Sequence, residues 1–485
     1  MATSSIINPI ATGSSTNSVV GDNSSGSVTP PIPPLVSVPA YVRPKEWLEL
    51  PTVIDTDEKF VGLISVGEGG TFSAFSANGN YTVDWGDGTV ENINSGVQAN
   101  HFFDYNNSAL ANTNIPILLI DTGDLIEYPN HPYIDGNIIN LYNIANTIWA
   151  NTSTTCYVIN STTNNFQISE NTDGSPIPII NNGTATLLPY KQSIVTITPQ
   201  AGQQLTILDL NIKNSTLGLS KYETRWLDIS ISGSNLINFN INALGNNVYN
   251  NWLEKVDIIN CGNILDMNNM FAYCYGLQTV SLPNTNSVTN MSNMFAGCFS
   301  LRSVSLPNTN FVIDMSYMFS SCSTLQTVSL PNTNSVTNMS YMFADCYKLN
   351  SVSLPNTNSV TNMNNMFAYC YGLQTVSLPN TNSVTNMNTM FNRCFGLQSI
   401  SIPNINSVTS INNIFYNCNS LNRIKNFPIG ISFSVENCQL SATALNEIYT
   451  NLPVVSAKTI TVTGNYGITG SNPTIATNKG WTVIE

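Results

Sequence analysis

The stretch Asn290–Ile313, NMSNMFAGCFSLRSVSLPNTNFVI, is one copy of a 24-residue phrase that repeats from Asn263 to Leu421. Proline recurs at this interval from Pro283 to Pro403, and cysteine recurs from Cys274 to Cys418. A fixed period of about 20–50 residues is typical of a solenoid, in which each coil buries its apolar face against its neighbours. The sequence therefore predicts a solenoid and favours surface binding or assembly over catalysis.

Each coil is predicted to combine a short helix with a strand. Apolar residues within Met291–Cys298 lie at i, i+3, i+4 and i+7, which is the spacing of one face of a two-turn helix. Val304 and Leu306 then alternate with serines, as in a strand. A helix N-cap is expected from the residue before the first methionine of successive coils, at Asp266, Asn290, Asp314, Asn338, Asn362 and Asn386.

A second repeated asparagine follows the proline, where the chain turns back. Asn side chains stacked at this corner are expected to satisfy backbone groups that the turns leave open. The corner residues are Asn284, Asn308, Asn332, Asn356, Asn380 and Asn404.

The cysteines are predicted to be small buried apolar residues. The chain has 10 cysteines and 2 histidines, so metal sites with clustered Cys and His ligands are not expected, and no cofactor is expected. Cys156, Cys261 and Cys438 fall outside the repeated position. The repeated residues are Cys274, Cys298, Cys322, Cys346, Cys370, Cys394 and Cys418.

The repeat pattern MxxMFxxCxxLxxVxLPNTxxVTN resembles the BspA-type leucine-rich repeats of bacterial surfaces and mobile elements. The resemblance covers residues 263–421 and implies a leucine-rich-repeat solenoid. The last coil departs from the pattern, with Ile411 and Ile414 where other coils have methionine.

Residues 46–105 are predicted to form strands separated by Gly and Asn turns. Within them Asn80–Gly88, NYTVDWGDG, resembles the WDFGDG signature of PKD domains, and His101 and Tyr105 follow where that family often has a His/aromatic pair. The resemblance implies an immunoglobulin-like β-sandwich. Trp85 is expected to fill its core, and Asp87 to close a tight turn. Calcium bound by Asp84 and Asp87 is the weaker alternative.

The chain is thus expected to be multi-domain and mainly β: a PKD/immunoglobulin-like β-sandwich followed by a leucine-rich-repeat solenoid with capping regions. An extended Ser/Pro-rich arm covers 1–45, with polyproline II in its Pro-rich part. The sandwich covers 46–202 and contains a β-rich insertion at 106–187. Solenoid caps cover 203–262 and 422–485, the second with a helix at about Ala442–Asn451.

Composition narrows the function classes. Charged residues make up 9 % and the net charge is −13 without a basic cluster, so nucleic acid is not an expected partner. We expect neither a membrane span nor a signal peptide. Two facing carboxylates for glycoside cleavage are missing from the repeats, and no catalytic motif is found, so no enzyme is predicted. The remaining acids worth testing are Asp121, Asp124, Glu127 and Asp135.

Two repeated surfaces of the solenoid are candidates for binding. The first is the outward side of the strands, which carries Thr279, Ser303, Thr327, Ser351 and Thr375, each followed two residues later by a serine. A ligand that binds several near-identical coils should itself be repetitive, such as a polysaccharide, a surface lattice or a second copy of the chain.

The second surface follows each cysteine. Its side chains either cover the ends of the coils or offer stacking platforms to sugar rings. The residues are Tyr275, Phe299, Ser323, Tyr347, Tyr371 and Phe395.

The strings YVRPKEWLELP, YTVDWGDGT and ITPQAGQ resemble virion-associated structural proteins of tailed phages. The resemblance implies a virion-surface fibre or a capsid or tail decoration. The arm 1–45 would bind other virion proteins, and the solenoid would contact a host polysaccharide or protein, or other copies in a homo-oligomer. A bacterial cell-surface adhesin is the main alternative, and a polysaccharide depolymerase is a third class.

Overall fold

The computed structural model describes residues 41–485 except 46, 68–70, 121, 128–137, 146–147, 150–154, 163–164, 170–174, 181–182, 211–224, 242–251, 283–284, 379 and 403–404. At 112–118, 138–145, 148–149, 155 and 183–190 only the backbone is described. Residues 1–40 of the predicted arm lie outside the described residues.

The described residues of the N-terminal region, up to Pro199, contain thirteen strands. They are β1 Lys59–Gly67, β2 Thr71–Asn78, β3 Tyr81–Asp84, β4 Val90–Ile93, β5 Gln98–Phe103, β6 Ala111–Ile120, β7 Leu125–Glu127, β8 Ile138–Ala145, β9 Ile148–Trp149, β10 Thr155–Ile159, β11 Asn165–Ser169, β12 Ile179–Ile180 and β13 Gly183–Pro199.

In the described residues that follow, the C-terminal region contains short strands and two helices. Before the repeats lie β14 Ile207–Asp209, β15 Trp226–Ser232, β16 Asn238–Asn240 and β17 Lys255–Asn260. The repeats contain β18 Thr279–Ser281, β19 Ser303–Ser305, β20 Thr327–Ser329, β21 Ser351–Ser353, β22 Thr375–Ser377, β23 Ser399–Ser401 and β24 Arg423–Lys425. The end of the chain contains β25 Phe433–Ser434, α1 Ala442–Asn451, β26 Lys458–Thr461, α2 Thr474–Thr477 and β27 Trp481–Ile484.

Two large sheets form most of the described N-terminal region, and β9 and β12 pair as a separate two-stranded sheet. In the first, β13 pairs antiparallel with β1 and β3 through its second half and with β6 and β8 through its first half. In the second, β2 pairs antiparallel with β5 and β14. Because β13 runs through residue 187 and pairs with β6 and β8, strands of the predicted insertion at 106–187 belong to the first sheet.

Both sheets continue into the solenoid. In the first, β15 pairs antiparallel with β1 and parallel with β17, and β17 pairs parallel with β18. In the second, β14 pairs parallel with β16, and the Ile241 N–H donates to the Met270 carbonyl over 3.3 Å. One apolar core therefore runs without a break from Phe60 to Trp481.

Trp226 marks the junction between the two regions. Its indole is buried and meets the Phe60 ring edge-on, with centroids 5.4 Å apart. Gly62 leaves room for it, because a Cβ at this position would lie 2.5 Å from the Trp226 ring. The region predicted to cap the solenoid at 203–262 thus joins it to the N-terminal sheets.

The predicted helix in each coil is wrong. The segment Met291–Cys298 forms consecutive turns, and N–H groups donate alternately to the carbonyl three residues back and to the next coil. Met294 N–H bonds to the Met291 carbonyl over 3.3 Å, whereas Phe295 N–H bonds to the Met318 carbonyl of the next coil over 2.9 Å. The turns thus satisfy their donors and also link neighbouring coils, which a helix could not do.

Left-handed backbone at every fourth residue makes these turns possible. Asn293 has φ 56° and Gly297 has φ 73°, and the same two positions have positive φ in the neighbouring coils. Asn and Gly tolerate this conformation, which a helix excludes. The apolar spacing of a helix is therefore produced here by a different backbone.

The predicted cap residues still cap these turns. Asn290 Oδ1 accepts the Ser292 N–H over 3.0 Å, and Asp314 Oδ1 accepts the Ser316 N–H over 2.7 Å. Isolated parallel bridges join each cap residue to the next, from Asp266 to Ser410. These side chains act as Asx-turn acceptors instead of helix caps.

The elements after the last repeat, from β25 to β27, close the end of the core. α1 coincides with the predicted helix, and Ser441 Oγ caps it by accepting the Ala444 N–H over 3.2 Å. β25, β26 and β27 form a parallel sheet in which the rings of Phe433 and Trp481 meet edge-on at 5.9 Å. No helix within the described ranges is long and apolar enough to cross a membrane.

Candidate binding surfaces

The hydroxyl face is the outward side of the repeat strands, with Thr or Ser on either side of each inward residue. Ser303 pairs with Thr327 and Ser305 with Ser329 in the β19–β20 register. The second serine of each pair is exposed from Ser281 to Ser377, and the first member ranges from half-buried to exposed. This face presents hydroxyl groups at the interstrand spacing of about 4.8 Å.

The aromatic stripe comprises Tyr275, Phe299, Ser323, Tyr347, Tyr371 and Phe395. Its rings stack on one another in two runs separated by Ser323. Tyr275 and Phe299 lie 4.3 Å apart, and Tyr371 lies 5.0 Å from Tyr347 and 4.9 Å from Phe395. Because neighbouring rings cover each other's faces, the stripe presents mainly ring edges, and the predicted sugar platforms are reduced to the ends of each run.

A second stacked pair of aromatics, one exposed and one half-buried, was not expected from the sequence. Tyr317 and Tyr341 stack at 4.4 Å and lie at the left-handed turn position, where most other coils have asparagine. Burial and the neighbouring Tyr341 hydroxyl raise the pKa of Tyr317. The signal was the substitution of Tyr for Asn at one repeat position in two successive coils.

The corner asparagines form the stack that the sequence predicted at the described positions. Asn332 Nδ2 donates to Asn310 Oδ1 of the preceding coil, while Asn332 Oδ1 accepts the Asn334 N–H over 2.9 Å. The buried Thr333 hydroxyl donates to the Asn356 carbonyl of the next coil. Each corner is therefore tied to both neighbours. Asn284 and Asn404 lie outside the described residues.

The repeated cysteines donate hydrogen bonds inside the core. All 10 cysteines are buried. Cys346 Sγ lies 3.1 Å from the Phe319 carbonyl oxygen, which also accepts the Cys322 N–H over 3.0 Å. Burial, with smaller contributions from neighbouring cysteines, raises the pKa of Cys346 well above its ordinary value, so the thiol keeps the proton that it donates. The same thiol–carbonyl bond recurs from Cys298 to Cys418.

Trp85, Asp87 and His101 form one cluster in the N-terminal region. The buried Trp85 indole stacks on the His101 ring at 4.7 Å. His101 Nε2 lies 2.7 Å from Asp87 Oδ2, and Asp87 Oδ1 accepts the Thr89 N–H over 3.1 Å. Burial alone would raise the pKa of Asp87, but the bonds from His101 and Thr89 outweigh it and lower the pKa.

This geometry disfavours the calcium alternative. Asp84 Oδ1 accepts the Gly86 N–H over 2.9 Å, while both Asp87 oxygens already have partners. Calcium needs six to eight oxygen ligands. Within the described part of the chain, no group of three or more His, Cys, Asp or Glu side chains is placed to hold a metal ion.

The acids considered for catalysis are only partly described. Asp124 has φ 54° and its Oδ1 accepts the Ile179 N–H over 2.8 Å, so its side chain joins the segment before β7 to the start of β12. Glu127 ends β7 and is exposed. Asp121 and Asp135 lie outside the described residues.

A buried ion pair at the junction was missed by the sequence reasoning. Arg43 Nε donates to Asp228 Oδ2 over 2.7 Å, and Arg43 also bonds to the Trp47 and Leu48 carbonyls. Burial raises the pKa of Asp228 despite Arg43 and Lys255 nearby. The segment Tyr41–Leu50, whose first five residues were assigned to the arm, is therefore bound to the sheet of β1 and β15.

Comparison with known proteins supports the repeat assignment. A family described as a Mycoplasma protein of unknown function, DUF285, matches residues 241–353, 313–427 and 349–451. No curated protein matches the chain. The C-terminal half is thus similar to a BspA-like repeat family and forms a β-solenoid.

Proposed function

We propose that the chain is a non-enzymatic virion structural protein, a phage fibre or a capsid or tail decoration, that presents its solenoid for attachment or for contact between copies. The observation that supports this most is the continuity of both N-terminal sheets into the solenoid. Without a hinge between the two regions, the N-terminal region fixes the orientation of the solenoid. This is the mechanical requirement of a projecting attachment protein.

The ligand of the hydroxyl face is repetitive and uncharged in this proposal. Thr and Ser hydroxyls spaced by about 4.8 Å can donate to and accept from a polysaccharide, a host surface lattice or another copy. Rings of the aromatic stripe cover each other's faces and leave little surface for a sugar to stack on. We therefore assign recognition of the ligand to the hydroxyl face.

The base of the protein is the N-terminal region, and residues 1–45 supply the contact with other virion proteins. The WGDG turn with Trp85 and Asp87 supports a PKD-like sandwich as the finer description of this base. Binding to the particle would then require the segment before Tyr41, because Tyr41–Leu50 is already bound to the same chain.

A bacterial cell-surface adhesin is the second candidate. It is favoured by the matching family, whose description names Mycoplasma. In that function the same solenoid would face another cell or a matrix. A depolymerase is less well supported, because Asp124 Oδ1 already accepts the Ile179 N–H; reducing ends released from a host capsule, and lost on Asp124→Asn, would establish it.

The deciding experiment combines mass spectrometry of purified particles and of cell envelopes from the source culture with a particle-binding assay. The assay compares the full chain with a variant lacking residues 1–37, which leaves the compact unit of residues 38–485 intact. The full chain on particles and loss of binding by the truncated chain are expected. Full-length chain confined to the envelope, with equal behaviour of both forms, would favour the adhesin.

A further inference from the structure

Two coils near the start of the solenoid differ from the others at the same exposed corner. Most coils read Ser-Val-Thr-Asn there, as at Ser335–Asn338, with the valine buried. One divergent coil reads Phe311-Val312-Ile313-Asp314, and the other ends in Leu265-Asp266. In both, an apolar residue replaces the exposed threonine and a carboxylate replaces the asparagine. The paired changes alter the surface and leave the buried position apolar.

The apolar side chains that take the place of Ser and Thr in these two coils are exposed to solvent. Phe311 is 60 % exposed, Ile313 50 % and Leu265 58 %. Hydrogen bonds fix their alignment, because Ile313 N–H donates to the Thr289 carbonyl over 2.7 Å and Thr289 N–H donates to the Leu265 carbonyl over 2.8 Å. The two apolar–Asp pairs therefore lie two coils apart on one line, at about 10 Å.

The apolar line extends to the coil before the repeats. Ile237 is 52 % exposed and follows Leu236, whose N–H bonds back to Gly233 as Ile264 N–H bonds back to Cys261. Asn263 Nδ2 donates to the Ser234 carbonyl over 3.0 Å, which stacks the two corners. We name Ile237, Leu265, Asp266, Phe311, Ile313 and Asp314 the acidic corner.

Negative charge also flanks this line. Asp266 is exposed, and each of the two aspartates uses Oδ1 to accept a turn N–H, as the replaced asparagines do. Their charge is therefore an addition that turn formation does not require. The exposed Asp55 lies beside the same corner, where its carbonyl accepts Asn260 Nδ2 over 3.0 Å.

From the coincidence of apolar and acidic changes, we infer that the acidic corner docks a polypeptide segment that is basic and apolar. Apolar side chains of the partner cover Leu265, Phe311 and Ile313, while Lys or Arg side chains pair with Asp266 and Asp314. A second copy presenting the same line would oppose like charges, and nucleic acid or an anionic lipid surface would be repelled. This inference does not rest on the proposed virion function.

Fluorescence anisotropy with the purified full chain tests it. The probe is a short labelled peptide of alternating Lys and Val, with two comparison peptides in which Glu replaces Lys or Ser replaces Val. The first variant, Asp266→Asn with Asp314→Asn, removes the charge. The second, Leu265→Thr with Phe311→Ser and Ile313→Thr, removes the apolar surface. Every new residue is one that other coils carry at that position, so both variants are expected to fold.

A third variant controls for non-specific attraction by the net charge of −13. Asp345→Asn with Glu436→Gln removes two negative charges away from the acidic corner, one in a repeat coil and one in the C-terminal cap. We expect each corner variant to bind the Lys/Val probe at least about tenfold more weakly, with the control unchanged. Three results would overturn the inference. The parent chain and both corner variants could bind the Lys/Val probe equally well, or the control variant could lose as much affinity as the corner variants. The parent chain could also bind the Glu peptide as tightly as the Lys/Val probe.

Discussion

At the residue scale, the repeated cysteines decide how the core responds to pH. Burial raises the pKa of thiols such as Cys346 well above the ordinary value near 9. Stability from such a group is fully present below the unfolded-state pKa and is lost as pH rises through the folded-state pKa. One pH unit above 9, each buried thiol should cost about 1.4 kcal/mol of unfolding free energy. Urea unfolding at pH 7 and pH 10 measures this loss.

A cysteine variant separates the thiols from tyrosines that titrate nearby. Cys346→Ala removes the bond to the Phe319 carbonyl and should cost about 1–3 kcal/mol at pH 7. The pH 7-to-10 difference of this variant should be smaller than that of the parent by the contribution of one thiol. If the free energy of unfolding fell equally between pH 7 and pH 10 in both proteins, Cys346 would not contribute to the pH dependence.

Backbone strain at single positions gives a second prediction. Thr389 has φ 53°, a conformation that β-branched residues rarely adopt, while Asn293 and Asn365 occupy the same position in other coils. Thr389→Asn should therefore raise the free energy of unfolding by about 0.5–1 kcal/mol. The midpoint of urea unfolding measures it, and Thr385→Asn, outside the left-handed position, is the control that should not stabilise.

The carboxylate of the buried Asp87 should contribute to the loss of stability at acid pH. Its lowered pKa means that its contribution is present above the ordinary pKa near 4 and is lost as pH falls through the folded-state pKa. Asp87→Asn should cost about 1.5–3 kcal/mol at pH 7 and flatten the decline of stability in acid. Thermal unfolding between pH 7 and pH 3 measures both. Asp84→Asn, which alters an exposed turn, should behave like the parent protein.

At the element scale, the coil is the unit that can be removed. Deletion of Asn338–Thr361 takes out one 24-residue period and joins Thr337 to Asn362, as Thr361 is joined in the parent chain. The alternating turn bonds and the Asn stack can re-form across this join. We expect a folded protein with a lower urea m-value, since it exposes less surface on unfolding.

Half a period should behave differently. Deletion of Asn338–Leu349 joins a corner to a strand, so the core residues of the two sides no longer coincide. Circular dichroism and size exclusion should then show loss of the folded solenoid. A folded protein from the half-period deletion, or an unfolded one from the full-period deletion, would contradict the coil as the structural unit.

The coil also shows how far sequence reasoning reaches. The period, the buried methionines and cysteines, the strand and the asparagine stack all follow from the repeated pattern. The helix did not form, because i, i+3, i+4, i+7 spacing also fits consecutive turns. Asn293 and Gly297, four residues apart, were the signal for left-handed turns, but Tyr317 and Ser321 occupy the same positions and conceal it. The Arg43–Asp228 pair depends on residues 185 apart in sequence.

At the scale of the whole molecule, the N-terminal region and the solenoid depend on each other. β17 pairs with the edge of β18 and β15 pairs with β17, while Ile241, directly after β16, bonds to the turns that follow Met267. Residues 263–485 alone would expose the core side of Met270 and Val280 and would leave strand edges unpaired. We therefore expect residues 38–485 to be soluble and to unfold cooperatively, and residues 263–485 to aggregate or to remain partly unfolded.

Light scattering after size exclusion and calorimetry measure this dependence. The control is Trp226→Ala in residues 38–485, which removes the large side chain between the regions and should lower the transition temperature of the single unit. If the two regions were independent, residues 263–485 would instead melt at the temperature of the full unit and Trp226→Ala would leave that transition unchanged. A cooperative dependence across the junction is what the proposed attachment function needs, because force applied to the solenoid is then resisted by the whole core.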